Sequence, residues 1–383
     1  MRKTRTRIRV GVVGTGFIAR VHVESLRRLG NIEVAGVAGS SEERARRFAD
    51  ELNIDWAAAD YRELLDDPGI RAIHICTPNS LHLEQTLAAF AAGKHVVCEK
   101  PLAANPEEAA RMLVAARNSG LLHATVYNVR AYPQVQNLRR MCETGALGEV
   151  WLVKGTYSQD WLLHDTDWNW RVAEGPSRAF ADIGTHWCDL AEHVTGLRIS
   201  SLSASLETFV TKRKWPRGSV ETFQGKNLRP EEFTEVAIET EDFASVAFRM
   251  GERARGIMTA SQVSAGRKNQ IAVEISGSQG SAMWDGERPE ELWIGRRDRP
   301  SELHLKDGAL FADLARSYTE IPGGLSEGWD ATFKQVFRRF YAVVAGAAGP
   351  VDYPTFEDGL RQMRIIDAVL ASNASGAWVT VEA

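Results

Sequence analysis

The first 127 residues alternate between two kinds of segment, and this alternation limits the fold more than any other feature of the chain. Short runs rich in β-branched residues are followed by a turn and then by a longer segment with apolar residues at helical spacing. Strands that alternate with helices of about 10 to 15 residues are typical of a parallel sheet covered on both faces. The predicted strands are residues 8–13, 34–38, 72–77, 95–99 and 122–127, and the predicted helices lie near 17–29, 42–52, 80–92 and 106–118.

After residue 128 the pattern changes to alternating apolar and polar residues, which indicates an antiparallel sheet with one covered face. The predicted strands are 149–158, 234–240, 244–250, 254–263 and 271–278; a charged, Gly- and Pro-containing loop is predicted at 212–232 and late helices at 333–346 and 355–372. We therefore predict an α/β fold with two domains. Residues 1–127 form a doubly wound parallel sheet, and residues 128–383 form an α+β domain with a large, mainly antiparallel open sheet.

A glycine motif lies between the first predicted strand and the first predicted helix. Gly14 and Gly16 begin the sequence GTGFIA, which fits the pattern GxGxxA. In a strand–turn–helix context, such glycines allow a tight turn and let the backbone approach a pyrophosphate, which the N-terminus of the helix stabilises. The motif therefore predicts a Rossmann-type dinucleotide site that includes Gly14, Gly16, Phe17 and Ile18.

The end of the second predicted strand bears on the choice between NAD and NADP. NAD-binding proteins usually carry an acidic residue there that binds the ribose hydroxyls, whereas this chain has Gly39, Ser40 and Ser41. Without that carboxylate a 2′-phosphate is not repelled, and the two serine hydroxyls with the guanidinium of Arg44 can accept it. The sequence therefore favours NADP and leaves NAD open.

Polar motifs follow three further predicted strands: TPNSLH (77–82), EKP (99–101) and YNVR (127–130). Ligands bind at this carboxyl edge in open α/β sheets. Together with the glycine motif and DIGTHWCDL (182–190), these segments closely resemble the Gfo/Idh/MocA family, which includes glucose–fructose oxidoreductase and inositol dehydrogenase. The resemblance runs from residue 11 to about residue 200, and continues more loosely through 323–333 to the C-terminal helix.

The resemblance implies roles for particular residues. In this family the lysine of EKP, here Lys100, contacts the reacting hydroxyl, and the second-domain motif supplies Asp182 and His186 to the substrate. It implies further cofactor-binding residues: Thr77, Pro78, Asn79, His82, Glu99, Lys100 and Asn128. This chain departs from the family in lacking the acid after the second strand and in carrying Leu325 where many members have a histidine.

The chemistry of alcohol oxidation agrees with these residues. Hydride transfer to nicotinamide must be accompanied by loss of the hydroxyl proton, so a group that titrates near neutrality is needed. Histidine does so, with an ordinary pKa of about 6.5. We therefore predict that His186 accepts the proton, that Asp182 orients His186 or binds substrate, and that Lys100 polarises the reacting oxygen. The roles of His186 and Lys100 are exchangeable at this stage.

Aromatic residues in a polar segment point to the substrate. Trp161, Trp168, Trp170 and Trp187 lie within residues 161–187, and they are either core residues or rings that cover the apolar faces of a sugar. The second reading predicts a sugar or cyclitol substrate. The predicted substrate-binding residues are Lys100, Arg130, Trp161, His164, Trp168, Arg171, Asp182 and His186.

Two other functions remain open from the sequence. A non-catalytic protein of the same fold could sense NAD(P) or a sugar, although Lys100, Asp182 and His186 together argue for catalysis. A reductase of another small carbonyl or imine is the second alternative. A metal site is not predicted, because Cys188 points away from the helical stripe that His186, Asp189 and His193 share.

Composition narrows the partners and the compartment. A formal net charge of −4 gives no general reason to bind nucleic acid or an anionic membrane. The four cysteines have no CxxC spacing, which favours reduced thiols and a cytoplasmic location. The predicted strand at 254–263 carries apolar residues on both faces, so we expect the second sheet to be covered by another copy in a homodimer or homotetramer.

Overall fold

The computed structural model describes residues 7–173, 175–216 and 233–382. Their contacts divide the chain into two compact units: residues up to Asn128 together with Trp329–Met363, and Val129–Gly328 together with the residues from Arg364 onward. A late segment of the chain is therefore part of the first unit. The division into continuous domains at 1–127 and 128–383 stays a prediction.

The first unit contains the parallel sheet. Its elements up to residue 128 are β1 (Ile8–Val13), α1 (Phe17–Arg27), β2 (Ile32–Ala38), α2 (Glu42–Leu52), β3 (Trp56–Ala58), α3 (Tyr61–Asp66), β4 (Ile70–Ile75), α4 (His82–Ala91), β5 (His95–Cys98), α5 (Pro106–Ser119) and β6 (His123–Thr125). Within the described residues six strands run parallel in the order β3-β2-β1-β4-β5-β6. The doubly wound parallel sheet is confirmed. The strand order reverses between β1 and β4, and ligands bind at such a point.

Local sequence explains where these helices begin. The side chain of Ser41 accepts a hydrogen bond from the backbone N–H of Arg44 at the start of α2. Asp60 and Glu63 form a capping box at α3, and Asn105 caps α5 directly before Pro106. Ser41, Asp60 and Asn105 each satisfy a helical N–H that has no partner within its own helix, and Glu63 accepts from the backbone N–H of Asp60.

Two elements of the first unit were not predicted. The strand β3 has the sequence WAA, which lacks a β-branched run, and α3 is a helix of six residues. Neither is long enough to show a clear hydrophobic period. The predicted strand at 72–77 lies two residues earlier, and that at 122–127 is reduced to His123–Thr125.

The remaining elements are numbered in chain order. They are α6 (Pro133–Glu143), β7 (Val150–Ser158), α7 (Thr185–Thr195), β8 (Ile199–Glu207), β9 (Lys212–Pro216), β10 (Phe233–Ala237), β11 (Phe243–Met250), β12 (Ala254–Ser261), β13 (Gln270–Gly277), β14 (Ser281–Asp285), β15 (Glu291–Gly295), β16 (Glu302–Leu305), α8 (Asp313–Arg316), α9 (Trp329–Val344), α10 (Phe356–Ser375) and β17 (Val379–Thr380). The larger sheet has the described order β16-β15-β14-β13-β7-β12-β11-β8-β17. It is mainly antiparallel, as predicted, although β7 and β12 run parallel.

One predicted strand lies outside this sheet. Residues 234–240 were expected to join it, but β10 pairs with β9 in a separate antiparallel ribbon. The first five residues of the predicted loop at 212–232 are therefore strand, and residues 217–232 lie outside the described residues. A charged sequence such as KRKWP forms this strand because its backbone is paired in a ribbon rather than buried in the sheet.

The core of the second unit forms where α7 packs on the larger sheet. Trp187 is fully buried, its indole N–H donates to the carbonyl of Ala272 (2.8 Å), and its ring lies 5.6 Å from that of Phe248. Gly155 makes room for this indole, because a Cβ at that position would lie 2.6 Å from its nitrogen. The helix ends at Gly196, which has a φ of 69° as expected for a C-terminal glycine.

Across the described ranges, no helix is both long and apolar enough to cross a membrane. Cys76, Cys98 and Cys188 are buried, Cys142 is half-buried, and none of the four forms a disulfide. Burial raises the pKa of the Cys142 thiol to about 12.

Candidate active site

The glycine motif forms a turn that only glycine fits. Gly14 has a φ of 119°, and a Cβ there would lie 2.5 Å from the carbonyl oxygen of Cys76. Gly16 precedes α1, and a Cβ on it would meet no heavy atom of the described residues within 4 Å. A side chain at Gly16 would thus point into open space, and Phe17 beside it is half-exposed. This arrangement fits a dinucleotide pyrophosphate.

The residues predicted to distinguish NADP from NAD lie together after β2. Ser40, Ser41 and Arg44 are exposed, and the Arg44 guanidinium donates to the Ser40 hydroxyl (3.4 Å). The Ser41 hydroxyl caps α2 by accepting from the Arg44 backbone (3.3 Å). Two hydroxyls and a guanidinium therefore form a small polar cluster at the exposed start of this helix.

His82 lies between the loops that follow β4 and β5. One ring nitrogen, Nε2, lies 2.9 Å from the carbonyl oxygen of Thr77, and Nδ1 lies 3.1 Å from that of Pro101. The imidazole is fully buried, and burial lowers its pKa. The neutral ring has one N–H and donates to only one of these carbonyls, so His82 lies between the two loops and is bonded to one of them. The predicted contact between His82 and the cofactor stays a prediction.

The other predicted residues of these loops lie at the same edge of the sheet. Pro78 and Asn79 are half-buried, and Asn79 begins a short 3-10 helix. The Thr77 hydroxyl donates to Gln85 (2.7 Å), and the Asn128 amide donates to the Thr332 hydroxyl (2.8 Å). Thr77 and Asn128 are thus held in place by neighbours within the first unit.

Glu99 and Lys100 lie directly after β5. The Glu99 carboxylate is buried, and its Oε2 accepts a hydrogen bond from the Lys100 backbone N–H (3.1 Å). Its Oε1 lies 2.9 Å from Nε2 of His22, a buried residue of α1. Sequence reasoning missed His22, because a histidine between two valines in a helix resembles an ordinary core residue.

His22 is part of a longer buried chain of polar side chains. Its Nδ1 lies 2.9 Å from Nδ1 of His74, and Nε2 of His74 lies 2.7 Å from the Tyr341 hydroxyl. Burial, together with the neighbouring His22, holds the pKa of His74 well below its usual value, so that the His74 imidazole is neutral. These polar side chains therefore connect β4, α1 and α9 within the first unit.

In the second unit, Asp182 lies in a π-helical turn, Phe180–Gly184, directly before α7. Such turns are frequent at functional sites. Oδ2 of Asp182 accepts from the side-chain amide of Gln262 (2.9 Å), and Oδ1 pairs with the Arg171 guanidinium (3.2 Å). The predicted residues Asp182 and Arg171 are thus brought together, and Gln262 is a partner that the sequence did not reveal.

His186 follows Asp182 by one helical turn and is also buried. The ring of Tyr157 lies 6.2 Å from its imidazole, and the Tyr157 hydroxyl donates to Asn269 (2.9 Å). Burial first, and then the Asp182 carboxylate, raise the pKa of Tyr157 above its usual value. Tyr157 therefore stays a neutral phenol beside His186.

Buried charges fix the turn that carries Asp182. The Glu241 carboxylate accepts from the Ser177 hydroxyl and from the Phe180 backbone, both at 2.8 Å. The next residue, Asp242, pairs with Arg178 and Arg213, and all three of these side chains are fully buried. These residues lie far apart in sequence, so their pairing was not predictable from spacing.

Arg130 lies within the second unit, where its Nε donates to the buried carboxylate of Asp189 (2.7 Å). His193, the third residue of the stripe on α7, lies 3.0 Å from the Gln136 amide. Among the described residues, no group of three acidic, histidine or cysteine side chains is arranged to hold a metal ion. A substrate contact by Arg130 stays a prediction.

The predicted aromatic residues form a cluster. Trp161 and Trp168 pack against Leu162, Val172 and Ile238. Trp168 also stacks on the half-exposed Trp215, with ring centroids 5.5 Å apart and planes 9° apart. These rings therefore cover a small core, although a stacked pair with one exposed face also resembles a platform for a sugar ring.

The remaining predicted residues flank this cluster. His164 is exposed, and its backbone N–H donates to Asp167 (2.8 Å). The Arg171 guanidinium lies 4.4 Å from the centre of the Trp170 ring.

Leu325, which stands where many family members have a histidine, is 56% exposed, and its carbonyl accepts from the buried Lys306 (2.8 Å).

Comparison with known proteins decides the family. Residues 8–127 match the oxidoreductase family described as having an NAD-binding Rossmann fold, and residues 135–283 match the GFO/IDH/MocA C-terminal domain. This chain belongs to the Gfo/Idh/MocA oxidoreductase family. The resemblance inferred from the sequence motifs is therefore confirmed.

Members of the Gfo/Idh/MocA family with known activities are similar to this chain. Levoglucosan dehydrogenase of Pseudarthrobacter phenanthrenivorans is 30% identical over 98% of both chains. A solved levoglucosan dehydrogenase in complex with NADH and levoglucosan has a TM-score of 0.86 at 28% identity, covering 99% of this chain and 100% of that one. Myo-inositol 2-dehydrogenase of Thermotoga maritima is 28% identical over 56% of this chain and 63% of its own length.

The buried histidines predict how stability depends on pH. The folded protein keeps His74, His82 and His193 neutral to lower pH than the unfolded chain does. Below about pH 6.5 the unfolded state therefore binds more protons, and each such histidine lowers the free energy of unfolding by up to about 1.4 kcal/mol per pH unit. We expect denaturant midpoints to fall between pH 7.5 and 5.5.

A His74→Gln variant tests the contribution of one histidine. Because glutamine does not titrate, the slope of stability against pH should be smaller than in the wild type, whatever the absolute stability. His304→Ala is the matched control, because His304 is an exposed histidine paired with Glu302. Equal slopes for His74→Gln and the wild type would contradict the assignment of a neutral, buried His74.

Proposed function

We propose that this protein oxidises a secondary hydroxyl of a sugar, sugar derivative or cyclitol and transfers the hydride to NADP or NAD. The observation that carries this proposal is the full-length similarity to levoglucosan dehydrogenase, whose solved complexes contain NADH with levoglucosan or with L-sorbose. A relative that acts on myo-inositol supports cyclitols as well, although it matches a smaller part of the chain.

The proposed catalytic residues are Lys100, Asp182 and His186. Bound nicotinamide supplies the hydride acceptor, while the protein must remove the hydroxyl proton. His186 takes that proton, and Asp182, fixed by Gln262 and Arg171, orients His186 or binds the substrate. The Lys100 ammonium donates a hydrogen bond to the reacting oxygen and stabilises the negative charge that develops on it.

A Lys100→Met variant tests this assignment. We expect kcat for sugar oxidation, followed as absorbance at 340 nm, to fall by at least about 10²-fold, since one preorganised donor typically contributes that much. Nucleotide affinity measured by calorimetry should change little, because Lys100 acts on the hydroxyl and not on the phosphates. Lys212→Met, at an exposed ion pair with Glu235, is the control for losing a lysine.

The first experiment measures turnover of a panel of sugars and cyclitols with NAD and with NADP, for the wild type and for Lys100→Met. Turnover by the wild type that survives in Lys100→Met at near its original rate would refute the role of Lys100. Nucleotide and sugar binding by the wild type, with no turnover of any compound in the panel, would favour a sensor of the same fold.

We further propose that NADP is the preferred cofactor. The support is the exposed cluster of Ser40, Ser41 and Arg44 after β2, where the chain carries no acidic residue before the helix begins. A 2′-phosphate in this cluster gains a charge-assisted hydrogen bond, which contributes about 1.5–3 kcal/mol.

Arg44→Ala should raise the dissociation constant for NADP by about 10- to 100-fold and leave that for NAD within about twofold, because only NADP offers the phosphate. Arg47→Ala is a matched control on the same helix, since Arg47 pairs with Glu43 on the exposed surface. An equal loss for both cofactors in Arg44→Ala would contradict the proposal.

We also propose that the larger sheet binds a second copy of this chain. Register places Leu303, Trp293 and Met283 side by side across β16, β15 and β14 on one face. Leu303 and Met283 are 54% and 40% exposed. Neighbouring exposed apolar residues on a sheet mark an interaction surface.

Met283→Glu should shift the protein from an oligomer toward a monomer of 42.4 kDa, because a carboxylate buried in a two-fold interface lacks a partner. Sedimentation velocity at micromolar concentration measures the shift. Leu310→Glu, at an 83% exposed leucine, is the control for adding charge to an apolar surface position. A wild-type protein that sediments as a monomer would overturn the proposal.

The state of the cysteines bears on the cellular compartment of the protein. Buried cysteines outside any disulfide, such as Cys76, Cys98 and Cys188, fit a reducing environment, and we propose that the protein functions in the cytoplasm.

A further inference from the structure

The buried surface of α1 places one imidazole directly beneath the catalytic edge of the parallel sheet. His22 is fully buried, with Nε2 2.9 Å from Glu99 and Nδ1 2.9 Å from His74. The sulfur of Cys76 also lies 3.3 Å from Nδ1. Both ring nitrogens of His22 therefore face polar groups of the strands β4 and β5 or the residues that follow them.

Aromatic rings of α9 surround this imidazole. The ring of Phe337 lies 4.7 Å from that of His22 and 4.9 Å from that of His74, and Phe333 lies 5.9 Å from His22. Because these rings are apolar, burying a polar group between them destabilises the fold unless that group is hydrogen-bonded. The hydrogen bonds that link Glu99, His22, His74 and Tyr341 thus lie in an apolar environment, where their geometry is tightly constrained.

The contacts link four side chains in series. The Glu99 carboxylate accepts a hydrogen bond from Nε2–H of His22. One proton lies between Nδ1 of His22 and Nδ1 of His74, and another joins Nε2 of His74 to the Tyr341 hydroxyl. Nε2–H of His22 is therefore the group that holds Oε1 of Glu99.

The Glu99 carboxylate, at one end of this series of hydrogen bonds, contacts the backbone of the proposed catalytic residue Lys100. Oε1 of Glu99 receives the hydrogen bond from His22, and Oε2 receives the backbone N–H of Lys100 at 3.1 Å. A shift of the Glu99 carboxylate therefore moves the main chain from which the Lys100 side chain extends.

We propose that His22 is a positioning residue for the hydride-transfer step, because it fixes the Glu99 carboxylate and, through it, the main chain of Lys100. This inference rests on the proposed function, in which the Lys100 ammonium contacts the reacting oxygen. Misplacing a catalytic group by about 1 Å can lower the rate by about 10²-fold, so a residue that touches neither substrate nor cofactor can control kcat.

Two amide substitutions separate the contact with Glu99 from the contact with His74. The amide nitrogen of a glutamine occupies nearly the place of Nε2 in histidine, so His22→Gln keeps a donor for Glu99. The amide of an asparagine lies near the place of Nδ1, so His22→Asn keeps a group that faces His74 and loses the donor. Both variants remove the ring, so any purely structural damage is similar in the two.

We expect His22→Asn to lower kcat by about 10- to 100-fold, with nucleotide affinity within about twofold of the wild type, and His22→Gln to recover most of that loss. His95→Gln is the control for damage to β5, because His95 begins that strand and bonds to the Leu122 backbone (3.1 Å). Equal kcat values in His22→Gln and His22→Asn would overturn the proposal.

A second measurement does not require turnover. In protein labelled with ¹⁵N-lysine, the amide resonance of Lys100 is identified by its loss in Lys100→Met. It should move upfield in His22→Asn, as its hydrogen bond to Glu99 weakens, and stay near its wild-type position in His22→Gln.

An unchanged Lys100 resonance in His22→Asn would overturn the positioning role, whatever the activity. If the wild type turns over no sugar or cyclitol, the proposed function fails, whereas this resonance still decides whether His22 positions Lys100.

Discussion

The turn at Gly14 is the constraint on which the first unit depends. The chain passes so close to the carbonyl of Cys76 that a side chain at this position would collide with it. β1 lies beside β4, and only three residues separate the end of β1 from the start of α1. Gly16, directly before the helix, borders open space, and the helix presents its buried face to the ends of the neighbouring strands. One close approach thus prepares both the place of the pyrophosphate and the place of His22.

Buried histidines lie beneath the carboxyl edge of the sheet, where the proposed catalytic residue Lys100 follows β5. His82 lies between the loops that follow β4 and β5, and His22 bonds the carboxylate that accepts from the Lys100 backbone. The neutral imidazole of His74 can donate from one nitrogen and accept at the other, so it connects His22 with Tyr341 without adding a net charge to the apolar interior.

The second unit uses charge instead. The turn that carries Asp182 is anchored by Glu241 and by the buried ion pairs of Asp242 with Arg178 and Arg213. Such a network is sensitive to the loss of any member, because the remaining charges are then buried without compensation. The position of Asp182 is consequently fixed by residues that form no part of the proposed chemistry.

Sequence reasoning succeeded where the signal is local. The bounds of β1 and α2 and the glycine turn follow from period, capping and the freedom of glycine, all of which involve neighbours in sequence. The strand β3 and the ribbon of β9 and β10 were missed, because short or charged strands depend on their partners. The contacts of His22 with Glu99 and of Gln262 with Asp182 join residues 77 and 80 positions apart. For residues so far apart in sequence, the residue types do not show which side chains are in contact until the topology is known.

The return of α9 to the first unit affects how this protein is made. Tyr341 and Phe337 complete the surroundings of His74 and His22, yet they follow the whole of Val129–Gly328 in the chain. On the ribosome, the nucleotide-binding unit therefore emerges first and stays unfinished until the intervening unit has been synthesised. A fragment that ends near residue 128 would leave the apolar surface around these histidines bare. Nascent chains must accordingly keep that surface protected from other chains while translation continues.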